Sequence, residues 1–336
     1  MGTIKLQSYY FTDQKKIIFQ DKEFTVTLYR YPSQIEAVEV KNTRGKMVIL
    51  PYMGQIIWDL AFDGQDLKMK NMFSRPRRAK TIVDTYGCFA FHSGLLSNGC
   101  PGPEDTHPLH GEMPCAEMDE AWLEISEDQV TVGGSYEYAK GFGNHYLAAP
   151  SVTLAAGKTF IEIAMHVKNL ASETMPLQYM CHMNYAYLPE AEMTQNISEN
   201  AFIMRETVPA HVKPTEKWLD YTRKLSAEGG TLSVLNHPEM YDPEIVFFAD
   251  RLDHYQKQAH FEIKSPAGVT FFTEFSTEEF NYATRWLLYN ADQQVAAFIL
   301  PGTCRSEGFK AAEKAGTLIH LGAQEEKQFH VITGKK

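Results

Sequence analysis

The chain has 336 residues, 44% hydrophobic and 22% charged, a balance that fits a folded globular protein. Its 42 acids against 32 bases give a formal net charge of -10, and a surface that acidic repels phosphate backbones, which argues against a nucleic-acid partner. No apolar run approaches the roughly 20 residues needed to span a bilayer, and the N-terminus lacks the apolar stretch of a secretory signal. Five cysteines, at 88, 100, 115, 181 and 304, form no CxxC pair, so reduced thiols in a cytoplasmic protein are expected.

Strand signals dominate in chain order. Lys16 to Gln20 and Phe24 to Arg30 are β-rich runs around a polar Asp21-Lys22-Glu23 turn, and Ile35 to Lys41 leads into a turn at Asn42 to Lys46. In the run Val48 to Leu67, alternation places Trp58, Leu60 and Phe62 on one side and Asp59 and Asp63 on the other. Gly54 interrupts the pattern, and Asp63-Gly64 ends it as a tight turn. Phe73 to Lys80 is a basic island with Arg75, Arg77 and Arg78; it reads as a solvated loop, or as donors for an anionic ligand.

Residues 87–116, GCFAFHSGLLSNGCPGPEDTHPLHGEMPCA, combine glycines and prolines that fix irregular backbone with His92, His107, His110 and Glu112. Loops of this composition tend to be sites held on a rigid scaffold. Strands return at Ala121 to Ile125 and Val130 to Tyr138. Phe160 to Lys168 follows, with Ile161, Ile163, Met165 and Val167 on one face. His260 to Lys264 alternates too, with Phe261 and Ile263 inward, and Val269 to Phe275 is another apolar run. Two short helices are expected, over Pro214 to Leu225 with Gly229-Gly230 after it, and over Ser306 to Ala315 stopped by Gly316. Many short strands and few helices predict a large sandwich or barrel, forming one domain over residues 1–336.

Several of these segments together resemble the aldose 1-epimerase (galactose mutarotase) superfamily, in particular a poorly characterised bacterial branch. They are Val48 to Leu67, Gly94-Leu95-Leu96 leading to Leu109-His110-Gly111, QYMCHMNYAYL from Gln178, Phe247 to Asp250, and the tail from Ala296 to Gly316. The resemblance implies an all-β fold, a large antiparallel β-supersandwich with a sugar cleft. It implies anomer interconversion by acid/base ring opening and closure, with a small-molecule sugar as partner and no cofactor. By motif position His182 is the general acid, His110 holds the ring oxygen or a neighbouring hydroxyl, and Asp250 accepts from sugar hydroxyls.

The chain departs from the pattern at the family's base, a Glu just before the Pro of the last motif. Here that position is Leu300, which cannot accept a proton, so Glu307 and Glu112 become the candidates to replace it. His107, Arg77, Trp286 and Arg285 are further candidates for holding a sugar, Trp286 by stacking. Two other readings follow from the same residues. One is a sugar-binding or sensing protein that has lost its base. The other is a metal-dependent isomerase using His92, His107, His110, Glu112 and His182, which are ligand types suited to Zn, Mn or Fe.

Overall fold

The computed structural model describes residues 2–336; Met1, the first residue of the expected domain, lies outside them. Two antiparallel sheets carry the fold. One has nine strands and runs from the edge strand Gly2–Lys5 to Glu192–Gln195, with Phe160–Asn169 and Glu326–Lys335 near its centre. The other has thirteen, including, side by side, Ile245–Asp250, Tyr282–Tyr289, Gln294–Gly302, Met175–Met183, Ala90–Leu95 and Ile56–Phe62. No helix among the described residues is long and apolar enough to cross a membrane.

The core lies between the sheets, filled by the inward half of each alternating strand. Ile161, Ile163, Met165 and Val167 are all buried, while Glu162 is exposed on the opposite face. Tyr179, on the second sheet, packs its ring 5.0 Å from that of Phe329 on the first. Each such fully buried side chain contributes roughly 1.5–3 kcal/mol. Turn chemistry closes the hairpins as the composition suggests. Asn42 Oδ1 accepts from the backbone N–H groups of Arg44 and Gly45, and Asp63-Gly64 takes positive φ at both positions, the geometry that follows strand twist.

Three sequence expectations shift. A register break opposite Val48 and Ile49 leaves Trp58 as the extra residue of a bulge. The bulge resets the alternation, so Trp58 packs with Ile56 and Phe91 in a smaller cluster while Leu60 and Phe62 face the main core. The first helix spans Glu216–Ala227 because Thr215 caps it, its hydroxyl accepting from the Trp218 N–H at 3.2 Å. The second spans only Phe309–Ala315, starting after Gly308 and ending at left-handed Gly316.

Candidate functional site

Strand alternation decides which side chains leave the core. Along Met175–Met183, Tyr179 faces the first sheet, so Met180 and His182 face the other way, and along Tyr282–Tyr289 the residues Thr284, Trp286 and Leu288 do the same. With Val246 and Leu300 they floor a cavity of about 500 Å³ on the side of the second sheet away from the first. The loop of residues 87–116 folds across one end of this floor and brings His110 over it.

The loop is held by backbone. His110 takes φ of 66° and Gly111 takes φ of 80°. The His110 N–H donates to Gly99 O at 2.9 Å, and its carbonyl accepts from the Gly94 N–H at 3.0 Å. A Cβ on Gly111 would sit 2.1 Å from Ser97 O, so only glycine lets the loop lie this close to Gly94. That contact is the physical content of the Leu-His-Gly motif.

Four rings then converge. His182 stacks on Phe91 with centroids 4.5 Å apart, meets His110 edge to face at 4.8 Å, and lies 5.6 Å from Trp286. The Tyr86 hydroxyl shares a hydrogen bond with His182 Nε2 at 3.2 Å. Ser93 Oγ donates to Asn98 Oδ1 at 2.6 Å, so at its 3.1 Å contact with His110 Nδ1 it receives the imidazole proton. That tautomer makes His110 Nε2 a hydrogen-bond acceptor. Burial pushes the His110 imidazolium down to about 3 and His182 well below its ordinary value, helped in each case by a neighbouring imidazole. Both rings are therefore neutral near pH 7.

The far wall is polar. Glu244, just before strand Ile245–Asp250, is buried and ion-paired with Arg205, and its Oε2 accepts from the Trp286 indole N–H at 2.7 Å. The Trp218 indole N–H donates to the Glu244 carbonyl at 2.9 Å. His211, Lys213, Asp242, Asn290 and Ser306 add further polar groups to the lining. An apolar and aromatic floor with polar groups around it suits a ring that presents apolar C–H faces and peripheral hydroxyls.

Of the residues singled out from sequence, the structure brings His110, His182 and Trp286 together here, with Leu300 in the floor. It does not bring the others. Glu112 accepts from the backbone N–H groups of Leu95 and Leu96 and from the Tyr146 hydroxyl, each at 2.8 Å, and so ties the loop to the nine-stranded sheet. His107 lies near Asp105 and the start of the second helix, where its Nε2 accepts from the Phe309 N–H at 3.4 Å. Asp250 and Glu307 line a separate pocket beside that helix, Asp250 in a two-pronged ion pair with Arg305 and Glu307 accepting from the Thr207 hydroxyl at 3.0 Å. Arg77 is exposed and outside the cavity lining.

Arg285 follows its own alternation into the core, donating to the carbonyls of Phe298 and Leu232 and to Gln195 Oε1. His92 likewise points to the core, its Nδ1 2.8 Å from the Tyr179 hydroxyl. Of the five residues of the metal-site reading only His110 and His182 meet, and among the described residues no group of three or more His, Cys, Asp and Glu side chains is placed to hold an ion.

Tyr86, Arg205, His211 and Glu244 are among the cavity residues that sequence reasoning missed. Tyr86 stands one position before the Gly87 at which the singled-out loop begins, and Glu244 follows Asp242-Pro243 at the head of an apolar run. Position beside a strand start was the available signal. Pairing with Arg205 and Trp286, 39 and 42 residues away, was not.

This architecture is that of the galactose mutarotase-like fold. A protein from Klebsiella pneumoniae described as "a putative aldose 1-epimerase" superposes with a TM-score of 0.79 at 14% identity, covering 99% of this chain and 91% of that one. A galactose mutarotase-like protein from Clostridium acetobutylicum gives 0.62 at 14% identity, covering 94% and 99%. Galactose 1-epimerase from Lactobacillus acidophilus gives 0.54 at 9% identity, covering 96% and 98%. A family model described as Domain of unknown function (DUF4432) matches residues 33–333, and the chain belongs to that family. No curated protein matches the sequence.

Proposed function

We propose that the protein binds a free sugar in the His110–His182–Trp286 cavity and interconverts its anomers by acid/base ring opening and closure. The observation that carries this reading is the pair of buried imidazoles meeting beside an indole and a phenol on the floor of a cavity large enough for a monosaccharide. Trp286 and Tyr86 give the sugar its apolar contacts. His110 Nε2 accepts from a hydroxyl. His182, next to the Tyr86 hydroxyl, serves the ring oxygen as acid. The reaction moves two protons and no electrons.

Leu300 supports a second reading. It is 1% exposed and its side chain joins the cavity floor, so the position at which the mutarotase pattern that the chain resembles carries a base offers only hydrocarbon. A protein that binds sugar without accelerating anomer exchange fits that feature. Polarimetry separates the two. When pure α-anomers of a panel of aldoses and uronates are dissolved with the protein, the exchange reading predicts that optical rotation relaxes faster than in buffer for at least one sugar. Unchanged relaxation together with calorimetric binding would leave the binding-only reading.

A further inference from the structure

We infer that Glu244 is the proton acceptor of this cavity, supplying from the head of strand Ile245–Asp250 the carboxylate that Leu300 does not. The inference rests on the anomer-exchange reading and goes on to name its base.

Two carboxylates line the cavity, Asp242 and Glu244. Asp242 is exposed, with its Oδ1 3.4 Å from Asn290 Nδ2. Glu244 is 7% exposed and fixed at both oxygens, Oε1 by Arg205 and Oε2 by the Trp286 indole N–H. A carboxylate offers about four lone-pair positions. These two bonds leave each oxygen able to take one more, and the Arg205 guanidinium compensates the buried charge. His182 and Glu244 line the same cavity and both neighbour the same indole, one by its ring at 5.6 Å and the other by a hydrogen bond to its edge.

The step balances without a co-reactant. Glu244 takes the proton from the anomeric O1–H, and the C1–O1 bond becomes a carbonyl. The C1–O5 bond breaks, its electron pair goes to O5, and O5 takes the proton supplied at His182. Rotation about C1–C2 and the reverse transfers close the ring on its other face and return both protons.

Three variants are compared with wild type on a sugar that the wild type exchanges. Glu244→Gln keeps the side-chain size and removes the base. Arg205→Gln/Glu244→Gln also removes the guanidinium that the single change would leave uncompensated. Glu244→Ala opens room for an added carboxylate. Loss of a general base costs about 10²–10⁴-fold. We expect both glutamine variants to lose at least 100-fold in exchange rate while binding the sugar within about tenfold of wild type, and formate to restore part of the activity of Glu244→Ala. Retention of exchange within tenfold in Glu244→Gln, or loss in Glu244→Ala without formate rescue, overturns the assignment while the exchange reading stands. A wild type that exchanges no sugar overturns both.

Discussion

The rings of His110 and His182 meet edge to face at 4.8 Å, although one comes from a loop at left-handed φ and the other from a central strand. Neither ring can be protonated cheaply, because each is buried; His182 would also charge against His110, and His110 against His211 and His107. That relationship sets both the stability and the chemistry expected of the protein.

Stability should fall on the acid side. Burial pushes His92 and His110 down to about 3 and His182 well below its ordinary value. Unfolded imidazoles titrate near ~6.5. Above that pH neither state binds the protons, so nothing is lost. As pH falls from about 6.5 towards 3, the unfolded chain takes up protons that the folded chain refuses, and stability drops. The denaturant midpoint should therefore be lower at pH 5 than at pH 7. Replacing His92 by Gln, which lies away from the cavity, should reduce that difference. An unchanged midpoint between the two pH values would contradict the assignment of neutral buried imidazoles.

On the anomer-exchange reading proposed above, the same depression shapes the rate. With His182 neutral near pH 7, the fraction carrying the proton needed by the ring oxygen rises about tenfold for each unit the pH falls, until the depressed value is reached. The kcat/KM for anomer exchange should rise between pH 8 and pH 6. A flat or falling profile over that range would show that His182 does not act as an imidazolium acid.

Gly111→Ala should displace His110. The added methyl meets Ser97 O at 2.1 Å and Gly94 O at 2.6 Å, at a φ of 80° that L residues rarely adopt. Strain of this kind costs about 1–3 kcal/mol, and the collision adds to it. The variant should melt lower than wild type and bind sugar more weakly. A variant that matches wild type in both would show that the loop does not need this close approach.

Glu112→Gln tests a structural role against a site role. The carboxylate receives three hydrogen bonds, two from backbone and one from Tyr146, and it lies outside the cavity lining. All three fall on Oε1, which Gln keeps only as an uncharged acceptor, so charge-assisted bonds become weaker neutral ones, at about 1–3 kcal/mol in all. Thermal stability should fall while sugar affinity in the folded protein stays within about threefold. A large loss of affinity without loss of stability would return Glu112 to the site.

The period-two pattern made the sandwich legible, because each strand such as Phe160–Asn169 has one buried face and says so in its own sequence. The glycines around His110 marked the loop for the same reason, since Gly94 and Gly111 approach each other's backbone. What stayed hidden depends on contacts between distant segments. The bulge at Trp58 turned that residue to the other side of the strand, and nothing local announces it. Arg285 and Trp286 are adjacent candidates in sequence, and only the sheet decides that the indole faces the cavity and the guanidinium the core. Asp250 looked free to bind until Arg305, 55 residues on, took its carboxylate.

The most direct test is magnetisation-transfer NMR on equilibrated aldoses and uronates, with wild type and with His182→Ala. The account predicts that at least one sugar shows faster exchange between its α and β anomeric protons with the wild type, and that His182→Ala lowers this rate by about 100-fold or more. Equal exchange with wild type and His182→Ala, or no acceleration for any sugar that binds, would contradict it.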